Sequence, residues 1–481
     1  MTRTALVSGV FVALWVMGSD VAQAAPAPTV SSVLPDDVAI PNGFGGNPIE
    51  FFDDFSWRSF IALNWPAQTP GPAGATRGVA DAAAAFGDTT KPLLWESWKT
   101  DWEMIPGANC LGDAAGCAIR PWNEMGENPC GTPSSPDTKV LAAFSTFENL
   151  AQAGFGNLEG PIVDQGKHYA RFEIHVNRPT FEPIFQRKLF LRANLPTPAN
   201  PVVFADGAGG NPHSVLVKAA WRDLTGLAPE KRARFLVRSA LVFDPVALTC
   251  AQRDVGLVGF HILQKTISRP QWIWSTFEHV DNIPESSASA PGEVKGEAPF
   301  SFNDGAGSPK SPKTTPLSAT NLPVDQPNPT QILREKKIHA STGGTNALYQ
   351  NAPGVSTTVF RFYRLVMTQW PVVVKNPDGT EARGVPANTF PGAGSDQTAF
   401  SNSVIETFRQ KPIVNGCMNC HDLATQDASS DFVWFLTTRA IPAVGSPAPA
   451  PPAVAGGTLG LAPAVVEEPR LDGLEKLMKE H

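Results

Sequence analysis

Val255-Gly256-Leu257-Val258-Gly259-Phe260-His261-Ile262-Leu263 is the stretch whose reading decides the fold class. As a strand it puts Val255, Leu257 and Leu263 on one side and Val258, Phe260 and Ile262 on the other. A strand that is apolar on both faces belongs inside a sheet, not at its edge. The period-two pattern recurs around it. Phe172, Ile174 and Val176 alternate with Arg171, Glu173 and His175, which predicts a half-buried strand. Val215, Val217, Ala219 and Trp221 alternate in the same way, as do Phe235, Val237 and Leu241. Residues 357–374 add a longer run with Phe360, Phe362 and Val366 on one side. Strands following one another in this way predict a β-rich α+β fold, an antiparallel sheet or sandwich body with peripheral helices.

Four helices are expected at the periphery. One is capped by Asp53 or Asp54 and carries Phe55, Trp57, Phe60, Ile61 and Leu63 before Pro66 stops it. A second spans 139–155, with Leu141, Phe144, Phe147 and Leu150 at helical spacing. A third covers 401–410 with Val404, Ile405 and Phe408 on one side; a fourth, capped by Asp431, carries Phe432, Val433, Phe435 and Leu436.

The chain has 481 residues and a net charge of −7, from 38 basic and 45 acidic side chains. No dense Lys/Arg tract is present, which argues against nucleic acid as the main partner. With 42% hydrophobic residues a large core can form, and global disorder is excluded. Pro (46) and Gly (41) make the chain loop-rich, which disfavours a helical bundle. Arg3, the apolar run from Ala5 to Met17, and Ala22-Gln23-Ala24 read as a secretory signal over 1–24. No other stretch is long and apolar enough to cross a bilayer, so the expected mature protein has no transmembrane segment and is periplasmic or secreted.

Cys417-Met418-Asn419-Cys420-His421 carries the chemistry. C-x-x-C-H is the attachment pattern of a c-type haem. Its two thiols reach the two vinyl groups on one porphyrin edge, and the adjacent imidazole then lies under the ring as proximal iron ligand. Composition alone would produce this pentapeptide in roughly one such chain in a thousand, so chance is a poor account of it. A structural zinc site would need a second C-x-x-C or an H-x₃₋₅-H, and neither is present. One covalent haem c is therefore expected, with Cys417 and Cys420 binding it and His421 on the iron. The remaining cysteines, Cys110, Cys117, Cys130 and Cys250, allow three pairings in an oxidising compartment; Cys110 with Cys117 and Cys130 with Cys250 is the reading preferred here.

The sixth iron position separates a wire from an enzyme. Four candidates stand out: His261 inside the buried strand, His279 after the Trp272-Ile273-Trp274 segment, Met367 in an apolar strand, and Met478, 57 residues beyond His421, in the charged tail. If the position is open, His261 or His279 could act as distal acid or base, with Arg269 stabilising negative charge. His168, His175, His213 and His339 show no ligand pattern and read as structural or surface residues.

The segment around the pentapeptide, with the export signal, resembles bacterial periplasmic cytochrome c proteins. Gly256-Leu257-Val258-Gly259-Phe260-His261 and residues 272–282 look like stretches of large single-haem members of that family. The resemblance implies thioethers at Cys417 and Cys420 and iron ligation by His421. It departs from the small cytochrome fold, because the pentapeptide is followed by only 60 residues, many of them Pro- and Ala-rich. The expected organisation is a signal at 1–24, a Pro-rich lead-in at 25–48 and a mixed body at 49–395. A flexible insertion at 284–330 interrupts the body. A haem-binding segment at 396–440, docked on the body, and a linker with helical tail at 441–481 complete the chain. Electron transfer with a redox partner protein is the first functional expectation. A haem-dependent peroxidase or oxygenase, with a small-molecule substrate held in the β-rich body, is the alternative.

Overall fold

The computed structural model of the chain describes residues 26–68, 77–105, 119–126, 130, 139–141, 162–284, 300–305, 325, 327–370, 402–407, 421 and 430–439, positions 43, 45, 198, 245, 246, 248, 335 and 336 excepted. In chain order, its elements begin with α1 (Ile49–Leu63), β1 (Lys99–Thr100), α2 (Asp101–Met104), β2 (Lys139–Leu141), β3 (Arg171–Val176) and α3 (Arg178–Arg187). There follow β4 (Val215–Asp223), α4 (Pro229–Arg232), β5 (Val237–Asp244), β6 (Thr249–Gln264) and β7 (Ile273–His279). The last are α5 (Ala340–Gln350), β8 (Tyr363–Gln369) and α6 (Trp434–Arg439). All eight strands belong to one sheet, so the fold is mixed and β-rich, with the sandwich alternative replaced by a single sheet. Every strand pair is antiparallel except β2 with β5.

β6 is the axis of this sheet. Its residues 255–264 pair with β4 on one edge; along the other edge it pairs first with β5 and then, from Gly259 onward, with β7. The strand does not alternate as simply as its sequence suggests. Ala220 pairs with Gly259 and Trp221 with Leu257, so Val258 is an extra residue, a β-bulge. The bulge lets Leu257 and Phe260 share one face and turns Val258 to the other, where it joins a separate apolar cluster with Ala220 and Ile405.

α1 covers one face of the sheet. Thirteen of its fifteen residues are buried, which is the pattern of a helix enclosed on all sides. Phe60 stacks on Phe277 at 4.3 Å and meets Phe260 edge-on at 5.6 Å. The helix starts at Ile49, ahead of the expected caps, with Asn47 accepting the Ile49 amide at 3.2 Å. Asp53 is instead an interior group that accepts from Thr342 (2.7 Å) and Thr368 (2.8 Å).

β3 is buried on both faces, not half-buried. Its polar side chains enter an enclosed charge network. Glu173 takes Lys139 at 2.7 Å and the Trp221 indole N–H at 2.7 Å, while His175 sits 2.9 Å from Glu173. The Lys139 ammonium lies 4.9 Å from the Trp95 ring centre and 4.7 Å from that of Trp221. This is why 139–141 form a strand where a helix was expected: they pair with β5 and deliver Lys139 to Glu173 and Glu96.

Other expectations shift by an element or a turn. Phe360 and Phe362 lie in a 3₁₀ turn ahead of β8. Residues 402–407 form turns, and α6 begins at Trp434, three residues after Asp431. Parts of the 284–330 segment are built into the body: Ser301 and Phe302 donate to the carbonyls of Asp281 and Asn282, and Thr330 to that of Val163. Cys130 and Cys250 are joined by a disulfide. Residues 1–25, Cys110, Cys117 and 440–481 lie outside the described residues.

Burial raises the Asp53 carboxyl to about 7 against the pull of its two hydroxyl donors. An acid raised in the folded state favours folding most below its unfolded value near 3.8, and that contribution declines as pH climbs to about 7. The Asp53→Asn variant lacks this term. Its stability relative to the wild type should therefore rise by roughly 3 kcal/mol between pH 4 and pH 7, measured by urea unfolding; an unchanged difference would refute the assignment.

Candidate functional site

The face of the sheet opposite α1 gathers the residues of interest. Lys218 on β4, His261 on β6, Thr276 on β7 and Met367 on β8 are successive in-register neighbours, forming one row across four strands. Two residues along, Leu216, Leu263, Trp274 and Gln369 form the next row on the same face.

Residues 402–407 lie directly on this face. The Asn402 amide donates to Thr276 Oγ1 (3.1 Å) and to the Phe277 carbonyl (2.7 Å). A Cβ at position 259 would stand 3.1 Å from Asn402 Oδ1 and from Ile405 Cγ1, so glycine in β6 permits this close approach. The Ser403 amide donates to Glu278 Oε2 at 3.2 Å. Glu278 is fully buried and held by Arg334 and Arg364, the latter at 2.8 Å. Desolvation alone would raise its carboxyl, but the two guanidinium groups prevail and hold it at about 2.

Beyond this anchor, Glu406 places Oε2 3.2 Å from His261 Nε2 and accepts the Asn402 amide at 3.1 Å. The contact lies off the N–H axis: among the described residues His261 Nε2 has no hydrogen-bond partner, although the residue is only 7% exposed. Desolvation works against the Glu406 carboxylate, yet the charges of His261 and Lys218 leave it below the ordinary glutamate value.

His421 stands on the same face. Its ring lies 4.5 Å from that of Trp274, and its Nδ1 is 2.7 Å from the Phe432 carbonyl oxygen. Since a carbonyl only accepts, Nδ1 carries the proton and Nε2 keeps its lone pair. Nε2 makes no hydrogen bond among the described residues. Desolvation is the chief cause that brings the imidazole down to about 4, with the nearby Lys218 and His261 charges adding to it, so it is neutral at physiological pH. Trp274 itself is 3% exposed, and its indole N–H has no partner among the described residues. A neutral imidazole with one nitrogen tied to a carbonyl and the other unsaturated is the donor set that an axial haem ligand requires. Of the three residues expected to hold a haem, His421 alone is described, and its imidazole is compatible with that role. Cys417 and Cys420 lie outside the described residues.

The other expected site residues separate. His261 joins His421 on one face, and Met367 shares its row but packs with Val366 and Ile338. His279 does not join them. It lies five residues beyond Trp274 on β7, about 16 Å along the strand. Both its nitrogens are engaged, Nε2 by the Arg234 carbonyl (3.0 Å) and Nδ1 by the Asp281 amide (3.1 Å), while its ring stacks on Phe235. That leaves His279 no lone pair for iron and no free proton for acid catalysis. Arg269 donates to the Ser268 carbonyl and lies over the Phe52 ring of α1. Met478 lies outside the described residues. Sequence reasoning did not single out Glu406, Lys218, Trp274 or Glu278; Lys218 sits at the polar positions of an alternating strand, which ordinarily signal solvent.

No family model, curated protein or solved structure matches this chain. No helix among the described residues is long and apolar enough to cross a membrane.

Glu278→Gln should leave two buried guanidinium groups poorly paired and cost about 3–5 kcal/mol. Because the carboxylate also holds the Ser403 amide, hydrogen exchange at 402–407 should accelerate more than in β4. Equal protection in the variant and the wild type would show that Glu278 does not anchor the segment.

Proposed function

We propose that this chain is an exported single-haem c-type protein that transfers electrons in the periplasm, with the haem joined to Cys417 and Cys420 and His421 as proximal ligand. The observation that carries the reading is the His421 imidazole: half-buried, neutral, tied through Nδ1 to the Phe432 carbonyl and, among the described residues, unbonded at Nε2. The motif, the export signal and this geometry support the same reading, a covalent haem. Bound there, the haem would supply a one-electron couple. The chain's part is to hold the axial imidazole in one tautomer, exclude water around it and present a partner surface. The net charge of −7 is a mild field that would favour a basic redox partner. His261 and Met367 remain protein candidates for the far side of the iron, sharing the row beside Trp274.

One observation favours the second reading, a haem-dependent oxidoreductase. His261 and Glu406 form a pair on the His421 face, with Lys218 beside them in register. A carboxylate and an imidazole in contact can hold and move a proton at Nε2 next to a small bound molecule.

Replacing Cys417 and Cys420 with Ala should abolish the haem stain that the wild type keeps on a denaturing gel, and a stain in that variant would refute covalent attachment. In the wild type, a low-spin spectrum indifferent to carbon monoxide is the expected result for an electron carrier. A high-spin ferric spectrum with rapid carbon monoxide binding would move the assignment to the oxidoreductase.

A further inference from the structure

Five described residues other than glycine have positive φ, and three of them meet at one place: Trp272 (74°), Asp431 (51°) and Phe432 (68°). Left-handed backbone at such side chains costs on the order of 1–3 kcal/mol each and persists only where its surroundings enforce it. The enforcement here is visible. Trp272 Nε1 donates to the Asp431 carbonyl at 3.0 Å, and the Phe204 amide donates to Asp431 Oδ2 at 2.8 Å. Lys265, which is fully buried, places Nζ 2.5 Å from the same Oδ2 and 5.3 Å from the centre of the Trp272 ring. The outcome of this knot is the direction of the next carbonyl: Phe432 O, 2.7 Å from His421 Nδ1.

We propose that Lys265, Asp431 and Trp272 are positioning residues whose strained, ion-paired turn aims the Phe432 carbonyl at His421 and so sets the imidazole's tautomer, orientation and donor strength toward iron. This rests on the reading of His421 as axial ligand. A firm Nδ1–H···O=C bond makes Nε2 a better electron donor, which stabilises ferric iron and lowers the reduction potential. The knot also explains why α6 begins only at Trp434: the two residues that could have opened it are committed to left-handed backbone. A buried lysine–carboxylate pair is poor evidence for stability alone. Its place beside strained backbone that ends on a functional imidazole gives it a use.

The test compares the full-length wild type with Trp272→Phe, which removes one donor to the turn, and with the double variant Lys265→Met/Asp431→Ala, which removes both charges together. Three readouts are taken on protein shown to be folded by its near-ultraviolet circular dichroism: haem stain, reduction potential with the iron–histidine Raman stretch, and the tautomer of His421 by ¹⁵N NMR in haem-free protein. Should the double variant not fold, Trp272→Phe alone decides. The expected result is retained stain, a higher potential, a lower stretching frequency, and a shift of His421 from purely Nδ1–H toward a mixture of tautomers. Unchanged potential, stretch and tautomer in folded variants would overturn the positioning role while leaving the haem assignment standing. A wild type without covalent haem would overturn that assignment instead, and the tautomer in haem-free protein would still decide whether the knot aims the carbonyl.

Discussion

The structure depends on residues 255–264 of β6 being covered on both faces and paired on both edges. A stretch in that position must be apolar or internally paired at every residue, because none of its side chains is exposed to bulk water. The bulge at Val258 decides which face each residue takes: Leu257 and Phe260 both turn toward α1, while Val258 and, beyond it, His261 turn to the opposite face. Gly259, just beyond the bulge, lets residues 402–407 rest against the strand instead of being held off by a side chain. The segment that leads toward Cys417 is thereby seated on the sheet before any cofactor is considered.

Charges buried on the two faces serve different ends. On the α1 face, Lys139, Glu96, Glu173 and Arg238 neutralise one another between the rings of Trp95 and Trp221. Their desolvation offsets much of their mutual attraction, so the network is better understood as fixing which strands pair than as adding stability. On the opposite face, Glu278 with Arg334 and Arg364 ties down the backbone of 402–407, while Lys265 with Asp431 ties down the turn under His421. Both arrangements convert electrostatic energy into the position of a backbone group. At His421 that position decides which ring nitrogen holds the proton.

Much of the fold was legible in the chain. The alternating runs at 172–176, 215–221 and 237–241 and the doubly apolar run at 255–263 are strands, with β6 central as its composition requires. The misreadings share a cause. Arg171, Glu173 and His175 read as solvent-facing because alternation with polar residues ordinarily means water on one side. Here that side meets partners from distant segments, and sequence spacing has no access to them. The same limit explains His279: a histidine at a strand end looks available until Arg234 and Asp281 are seen to occupy both nitrogens.

By itself the sequence determined the chemistry on offer, two thiols and an imidazole in a C-x-x-C-H pentapeptide, and the β-rich class of the body. Those are local properties, written in residue type and short-range spacing. Tertiary structure alone decided which other groups join His421. Trp274, His261, Glu406 and Phe432 are separated from it by up to 160 residues yet lie on one face with it, and Asp431 and Phe432 adopt left-handed backbone that neither residue favours in isolation. Such juxtapositions depend on strand register, on one bulge and on buried ion pairs. All three are set by the free energy of the whole packed chain and leave no signal in any single stretch of it.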